Sequence, residues 1–461
     1  MRDRTPHNSP PPPPLPSPPS RRGLLRGTLS LGAVAASSVA LGGCGSTLAQ
    51  GFTGGSPSPS RLNFWNPFTG GDGERLLAME DVYRARHRTT DLKSATFVWG
   101  SPYYTKLTLA TLGERPPQVA VTHLSKVPTL AEAGLLTELR TSDLARHGLT
   151  EDKFDPRPWK KSQVDGKLYA VPLDTHPFVL YFRTDIAEKA GLLDGQGQLA
   201  DVDGPDAFID ALRAAKEVTG AWGGSVASVK DASTQFRLFW SFYRQIGGGD
   251  LVAEQGKKVV IDTAAAAEAL AYIRRLTQEK VVPASTDSPG AITMLTTGKA
   301  GFLMDGVWQV LTVQGAKVKF DVRPLPRIFH DAPYACAADS HSLVLPKAPS
   351  AAAQRLDLSL GFVAALLNSS KLWAEGGHVP AWLPTQQSPG YRDLAPQSHY
   401  AAAADGAAYD PAAWYSGAGS TLQVVVGNAV TSVFTGATSP TAGAARMRRE
   451  LRELASRPAP L

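Results

Sequence analysis

From residue 61 onward, short apolar runs alternate with stretches in which apolar residues recur every three or four positions. RLNFWN (61–66) reads as a strand, and GERLLAMEDVYRARH (73–87) as a helix with Leu76, Met79, Val82 and Tyr83 on one face. SATFVWG (94–100) and PQVAVTH (117–123) predict further strands, and TLAEAGLLTEL (129–139) a short helix ending near Gly134. KLYAVPLDTH and PFVLYFRTD predict two strands on either side of a proline-containing turn. PDAFIDALRAAKEVTG is a helix opened by Pro205 and closed by Gly220. DTAAAAEALAYIRRLTQEK sets Ala267, Leu270, Ile273 and Leu276 at helical spacing, and LDLSLGFVAALLNSSKLWAEGG predicts another helix. Strands alternating with helices predict α/β layers with mixed sheets, and no internal repeat is visible.

The first sixty residues are of another kind. SPPPPPLPSPPS (9–20) has no pattern that forms a helix or a sheet core and is expected to stay extended. SRRGLLRGTLSLGAVAASSVALGGC (20–44) follows, with Arg21 and Arg22 paired, a weakly apolar segment from Gly27 to Ala40, and small residues before Cys44. This is the layout of an export signal. It resembles the twin-arginine type, with Leu24 where Phe is commoner and Arg26 where Lys is commoner. LGGC (41–44) resembles a lipobox. The apolar stretch is too short and too rich in Gly, Ala and Ser for a lasting membrane span. The expectation is a cleaved lipoprotein signal over 1–43, lipidation at Cys44, and a Gly/Ser/Pro-rich tether to residue 60.

The chain has 461 residues, 43% of them hydrophobic, which is enough for a sizeable core and two or three domains. Its formal charge is +6, yet Arg2, Arg4, Arg21, Arg22 and Arg26 stand against Asp3 alone in the signal. The mature chain is therefore near neutral, and nothing points to nucleic acid. With Cys44 lipidated, Cys336 has no cysteine to pair with, and its setting YACAAD reads as a small buried residue.

Common enzyme signatures are missing: no G-x-x-x-x-G-K-[ST], no H-E-x-x-H, no G-x-S-x-G. GQGQLA (195–200) matches a loosened G-x-G-x-x-A but lacks a strand before it and a helix after it, so it reads as a surface turn. DVDG lacks the spacing of a calcium loop, and the nine histidines show no metal-ligand spacing. No metal and no cofactor are expected. Asp174 and Asp305 are the one pair that a glycosidase reading would use, but aspartates at turns are more often caps.

What remains is a set of aromatic and polar residues just past predicted strand ends. Trp65, Asn66, Phe68 and Thr69 follow the first strand; His123, Ser125 and Lys126 follow a later one; Asp174 and His176 sit in PLDTHP, and Asp305 and Trp308 in MDGVW. In open α/β sheets, ligands bind beyond the carboxyl ends of the strands, in pockets that combine an apolar wall with a few polar groups. The bland alternative is that Trp65 and Trp308 fill the core and His176 satisfies a turn.

Four segments carry a family resemblance: DGKLYAVPLDTHPFVLYFRTDIAEKAGL, GGGDLVAEQGKKVVIDTAAAAEALAYIRRL, LTTGKAGFLMDGVWQV and GGHVPAWLPT. In this order and spacing, from about Leu62 onward, the chain resembles the extracellular solute-binding proteins of ABC importers, in the sugar-binding group that includes maltose-binding protein. The resemblance implies a periplasmic-binding-protein-like α/β fold, with two lobes joined by hinge strands around a ligand cleft. It sets an N-terminal lobe at 61–174, a C-terminal lobe at 175–338, a return to the first at 339–383 and to the second at 384–461. Trp308 falls where such proteins place an aromatic under a sugar ring, and His176 beside the first hinge crossing. Phe68 and Thr69 fall in the first-strand loop, Ser125 and Lys126 in the second. Gln423 stands where an aromatic is frequent, so Trp382, Trp414 or Trp240 is the alternative second stacking face. Gln235 and Trp240 are expected to reach in from the second lobe.

The chemistry suits a sugar, because aromatic rings cover its C–H faces while Asp, Asn, His and Gln bond its hydroxyls. The implied protein is a non-enzymatic receptor, lipid-anchored on the outer face of the cell membrane, whose partners are a carbohydrate and the ABC permease subunits. A receptor for a peptide, polyamine or glycerophosphodiester, with Lys126 and Arg183 as the cations at hand, and a surface carbohydrate-active enzyme are the alternatives.

Overall fold

A computed structural model describes residues 60–348 and 355–459. The export signal, Cys44 and all but the last residue of the tether lie outside the described residues. In chain order the strands that position the site are β1 (Arg61–Asn66), β2 (Asp91–Thr96), β3 (Val119–His123), β4 (Ala170–Pro172), β5 (Asp174–Arg183), β6 (Trp222–Ser225) and β7 (Ala300–Gly306). They continue with β8 (Phe320–Pro324), β9 (Cys336–Asp339), β10 (His341–Val344), β11 (Val379–Pro380) and β12 (Ala407–Ala408). The longer helices are α1 (Gly70–Arg86), α2 (Ser101–Leu112), α3 (Pro205–Thr219), α4 (Ala232–Gln245), α5 (Thr263–Gln278), α6 (Leu356–Asn368), α7 (Thr421–Phe434) and α8 (Pro440–Ala455).

Two mixed sheets organise two α/β lobes. The first runs β2-β1-β3-β10-β4, parallel over β2, β1 and β3, with β10 antiparallel to β3 and β4. The second runs β12-β9-β5-β7-β6, and β8 and β11 also pair with β5. Each sheet has its own apolar core. Phe64, Val121 and Leu343 meet Met79, Tyr83 and Phe362 in the first, while Leu180 and Phe302 meet Phe208, Leu212 and Phe236 in the second. These contacts follow from the sequence pattern, since each strand alternates faces and each helix offers one apolar stripe.

The sheets meet where the chain passes between them. Leu173 N–H donates to the His341 carbonyl (2.8 Å), and Ala381 N–H donates to the Leu173 carbonyl (3.1 Å). Val379 and Pro380 pair with Thr175 and Asp174, so three crossing segments lie side by side at the start of β5.

Several expectations need correction. Pro177 makes no turn: β5 runs unbroken through it from Asp174 to Arg183. Proline is tolerated there because the strand changes partners at that point. On one edge His176 and Pro177 pair with β9 and Val179 onward with β8, and on the other edge pairing with β7 begins only at Phe178, so the missing N–H falls at the switch. The second strand stops at Thr96, and Val98 and Trp99 lie exposed beyond it. On α1 it is Glu80, not Val82, that is buried, its carboxylate taken up by Arg84 and Ser94. The 356–377 helix is interrupted at Ser369. Cys336 is buried as expected, its thiol pushed up to about 12 by burial.

Helices α4 and α7 cross so closely that a Cβ at Gly427 would stand 1.9 Å from the Ala232 carbonyl oxygen. Helix propensity favours alanine over glycine by about 1 kcal/mol, but backbone cannot yield to such a clash. Gly427→Ala is expected to destabilise the protein by about 2–3 kcal/mol in urea unfolding. Asn428→Ala, on the exposed face one residue on, should stay within about 0.5 kcal/mol of wild type.

Candidate ligand site between the lobes

The floor of the site is built on Asp174, the first residue of β5, which is completely buried. Its Oδ1 accepts from the His341 backbone N–H (2.8 Å) and faces His176 Nδ1 (3.1 Å). Its Oδ2 faces His341 Nδ1 (2.8 Å), accepts from the Trp373 indole N–H, and lies 3.2 Å from His378 Nδ1. Burial pushes the Asp174 carboxyl up, but His341, His378 and His176 pull it further the other way, and it stays well below the usual carboxylate range. His378 is as buried, and its Nε2 meets Asp72 Oδ1 at 3.0 Å. Burial alone would lower His378; Asp72 and Asp174 outweigh it and raise the imidazole to about 10. His123, His176 and His341 are lowered, chiefly by burial.

A row of rings runs from this floor into both lobes. Trp99, at 42% the most exposed tryptophan among the large hydrophobics of the described surface, lies 6.3 Å from His123. His123 is 4.7 Å from His341 and 5.5 Å from His176; those two stack at 4.2 Å, and His176 meets Trp308 at 6.1 Å. Tyr104 Oη fixes His123 through Nδ1 at 2.7 Å.

Trp308 depends on the glycine before it. β7 runs through Asp305 and Gly306, and Trp308 follows in a single 3₁₀ turn, Val307–Gln309. The half-buried indole folds back over the strand, where a Cβ at 306 would fall 2.0 Å from its ring. Arg237 of α4 lays its guanidinium over this ring, 4.8 Å from the centroid. That guanidinium has no hydrogen-bond acceptor among the described residues, so its donors are available over an aromatic face.

The far edge is closed by contacts between the loop after β3 and the segment 413–419. Ser125 Oγ donates to Asp339 and accepts from the Ala418 N–H (3.2 Å). Lys126 Nζ donates to the Ser416 carbonyl, and Ser101 Oγ to the Gly419 carbonyl (3.4 Å). Burial lowers Lys126 to about 8 against the pull of Asp410 and Asp339. Asp410 is raised to about 6 by burial and by Asp339. Beside Trp99 opens a cavity of about 570 Å³, lined from the other lobe by Ser228–Ser233, Gly419, Val424, Asn428 and Thr431. Its size falls among small-molecule sites, which run about 300–1,000 Å³. A larger cavity, about 700 Å³, is lined by Pro116–Gln118, Thr137, Glu138 and Leu345–Ala348 among others and by no member of the ring row.

Of the residues singled out in the sequence, His123, Asp174, His176 and Trp308 converge here. Phe68 supports them from below, edge-on to His341 and tilted against Trp373, both at 4.7 Å. Asn66 is a structural turn former whose Oδ1 accepts from the Phe68 N–H, and Thr69 is an exposed residue preceding α1. Ser125 is engaged by Asp339 rather than open to a ligand. Asp305 turns back on its own chain, Oδ1 accepting from the Gly306 N–H at 2.7 Å.

Four expected contacts do not reach the site. Gln235 is wholly buried and donates to the Ala227 carbonyl; Trp240, 1% exposed, donates to the Ala408 carbonyl. Trp382 packs edge-on against Phe154 in the first-lobe core. Gln423 is buried on Asp410 and supplies an acceptor to the Gly419 N–H, so it braces the closing loop. Trp65 also joins the core, against Phe97. Arg183, the alternative cation, is held by Asp185 on both oxygens. The sequence reading missed Trp99, Arg237, His341 and His378. Arg237 was legible in principle, since Ser233, Arg237, Ser241 and Arg244 form the polar stripe of α4.

A family model for the bacterial extracellular solute-binding protein matches residues 93–367. The maltodextrin-binding protein MdxE of Bacillus subtilis is 23% identical over 244 residues, 50% of this chain and 52% of that protein. The lactose-binding protein of Rhizobium radiobacter is 30% identical over 168 residues, 35% of this chain and 38% of that one. The matched segments thus span about half or less of these relatives. Among solved structures, the sugar-binding protein MalE of Xanthomonas citri superposes with a TM-score of 0.71 at 18% identity, covering 86% of this chain and 97% of that one. The GacH receptor of Streptomyces glaucescens, solved without ligand and with acarbose, gives 0.70 at 21%, covering 86% and 98%. Both likenesses are of fold.

The Asp305 carboxyl, 2% exposed, is pushed up to about 7, chiefly by burial. In the unfolded chain it ionises near 4, so folding loses stability from this group as pH rises from about 4 to about 7. Asp305→Asn keeps the acceptor for Gly306 and removes that loss. Relative to wild type, the variant is expected to gain on the order of 3 kcal/mol between pH 4 and pH 8 in urea unfolding. A stability difference that is the same at both pH values would show that the carboxyl ionises normally.

Proposed function

The chain belongs to the bacterial extracellular solute-binding protein family, and from that premise we propose that it captures a carbohydrate outside the cell and delivers it to the permease of an ABC importer. The observation that carries this reading is the ring row from Trp99 to Trp308, with the unengaged Arg237 guanidinium above its far end. The exposed Trp99 indole offers a flat apolar face to pyranose C–H groups, the uncovered part of the Trp308 ring adds apolar contact from the other lobe, and the guanidinium supplies donors for hydroxyl or ring oxygens. Relatives that bind maltodextrin and lactose point to the same ligand class.

In this proposal the lobes divide as 61–174 with 339–383, and 175–338 with 384–461. A sugar that touches both favours the closed arrangement by contacts the open one lacks. Moving a population from 1:99 to 99:1 takes about 5.5 kcal/mol of differential binding, within reach of one stacking contact and a few charge-assisted hydrogen bonds. Lipidation at Cys44 would hold the receptor at the outer membrane surface. No helix among the described residues is long and apolar enough to cross a membrane. Binding without turnover is the expected chemistry. Asp174 is occupied by donors on both oxygens and Asp305 bonds its own backbone, so neither is posed as a general acid.

Calorimetric titration of maltose, maltodextrins and lactose should find a saturable ligand. Trp308→Ala should weaken it by about 10- to 100-fold without unfolding the protein, and Trp99→Ala by a smaller factor. Affinity unchanged in Trp308→Ala would remove the indole from the site, and binding of anionic solutes alone would replace the carbohydrate reading.

A further inference from the structure

We propose that Asp174, His176, His341 and His378 form a binding site for a single zinc-type divalent metal ion at the hinge. Each residue offers one ligand atom, and these atoms all lie within 4.8 Å of one another. Asp174 Oδ2 stands 2.8 Å from His341 Nδ1 and 3.2 Å from His378 Nδ1. A tetrahedral zinc ion with bonds of about 2.0–2.2 Å holds its donors about 3.4 Å apart, so each of these two separations need change only by a fraction of an ångström. His176, whose Nδ1 faces the other Asp174 oxygen at 3.1 Å and which has a ligand atom within 4.8 Å of those of the other three residues, supplies the fourth donor on rotation of its ring. Three imidazoles and one carboxylate are a donor set that suits zinc.

The surroundings of His378 point the same way. Its Nε2 is fixed by Asp72 Oδ1 at 3.0 Å, and its ring stacks on Trp373 at 4.4 Å with an interplanar angle of 15°. Its Nδ1 is wholly buried and aimed at the cluster, near enough to Asp174 for attraction yet without a hydrogen bond of proper alignment. A carboxylate that orients an imidazole through one nitrogen and leaves the other for an ion is the usual outer support of a metal-bound histidine. The Trp373 indole and the His341 backbone N–H hold Asp174 in the same manner. The ring row supplies the entry path, since His176 and His341 are 6% and 5% exposed while His378 and Asp174 are not exposed at all.

The four ligands come from all three crossing segments: Asp174 and His176 from β5, His341 from β10, and His378 from the residue before β11. One ion would therefore tie the crossings together beneath the ligand cleft. It would stiffen the hinge without occupying the space beside Trp99 and Trp308.

The test is a titration of zinc chloride into the metal-stripped mature chain, free of any polyhistidine tag and of any sugar. It does not depend on the carbohydrate reading. Expected are one ion per chain with a Kd below about 1 µM, and a loss of about 100-fold or more in His378→Gln. His147→Gln, a histidine paired with Asp357 away from the cluster, should bind as wild type does. Should His378→Gln fail to fold, the X-ray absorption spectrum of the zinc-loaded wild type decides, with three imidazoles and one oxygen expected. No saturable binding by the wild type, an unaltered Kd in folded His378→Gln, or a spectrum without three imidazoles would overturn the proposal.

Discussion

A carboxylate with no access to water holds this structure together at its narrowest point. An ionised Asp174 costs several kcal/mol to bury unless its oxygens are met by well-placed donors. Here the donors come from His341 on the second crossing and from Trp373, while the His378 imidazole on the third lies 3.2 Å from the carboxylate as an opposite charge. The three segments cannot separate without stranding the charge. The place where the lobes are joined is therefore set by electrostatics, while each lobe is held by its own apolar core.

The candidate ligand surface is built outward from that point. His176 and His341 stack above Asp174 and carry the ring row to His123 and Trp99 on one side and to Trp308 on the other. Gly306 lets the indole lie back over its strand, and Arg237 covers part of its face. The opposite edge is a set of polar latches, Ser125 to Asp339 and Lys126 to Ser416, between parts of the chain almost 300 residues apart in the second case. Such latches are modest individually, which suits the proposed opening and closing of the lobes.

Much of this was legible in the sequence. Alternating apolar periods marked the strands and helices, and the strand-end positions of His123, Asp174, His176 and Trp308 marked part of the floor. What escaped was information that sequence order does not carry. Pro177 reads as a turn until its neighbours show that the strand changes partners there. On α4, Gln235 and Trp240 look like ligand groups, but both find backbone acceptors inside the core, and Arg237 on the polar stripe lies over Trp308 instead. His341 and His378 lie more than 160 residues from Asp174, so only the tertiary fold reveals that they share one carboxylate. Trp99 sits three residues past the end of a strand whose apolar run continues through Phe97, Val98 and Trp99.

The central claim is that a carbohydrate draws the two lobes together across the ring row while the Asp174 junction stays fixed. Spin labels at Leu112 and Thr421, exposed positions on helices of opposite lobes, report the separation of the lobes. Pulsed electron resonance should give a broad distance distribution without ligand and a single shorter, narrower one at saturating sugar. A distribution that a bound sugar leaves unchanged would contradict the account.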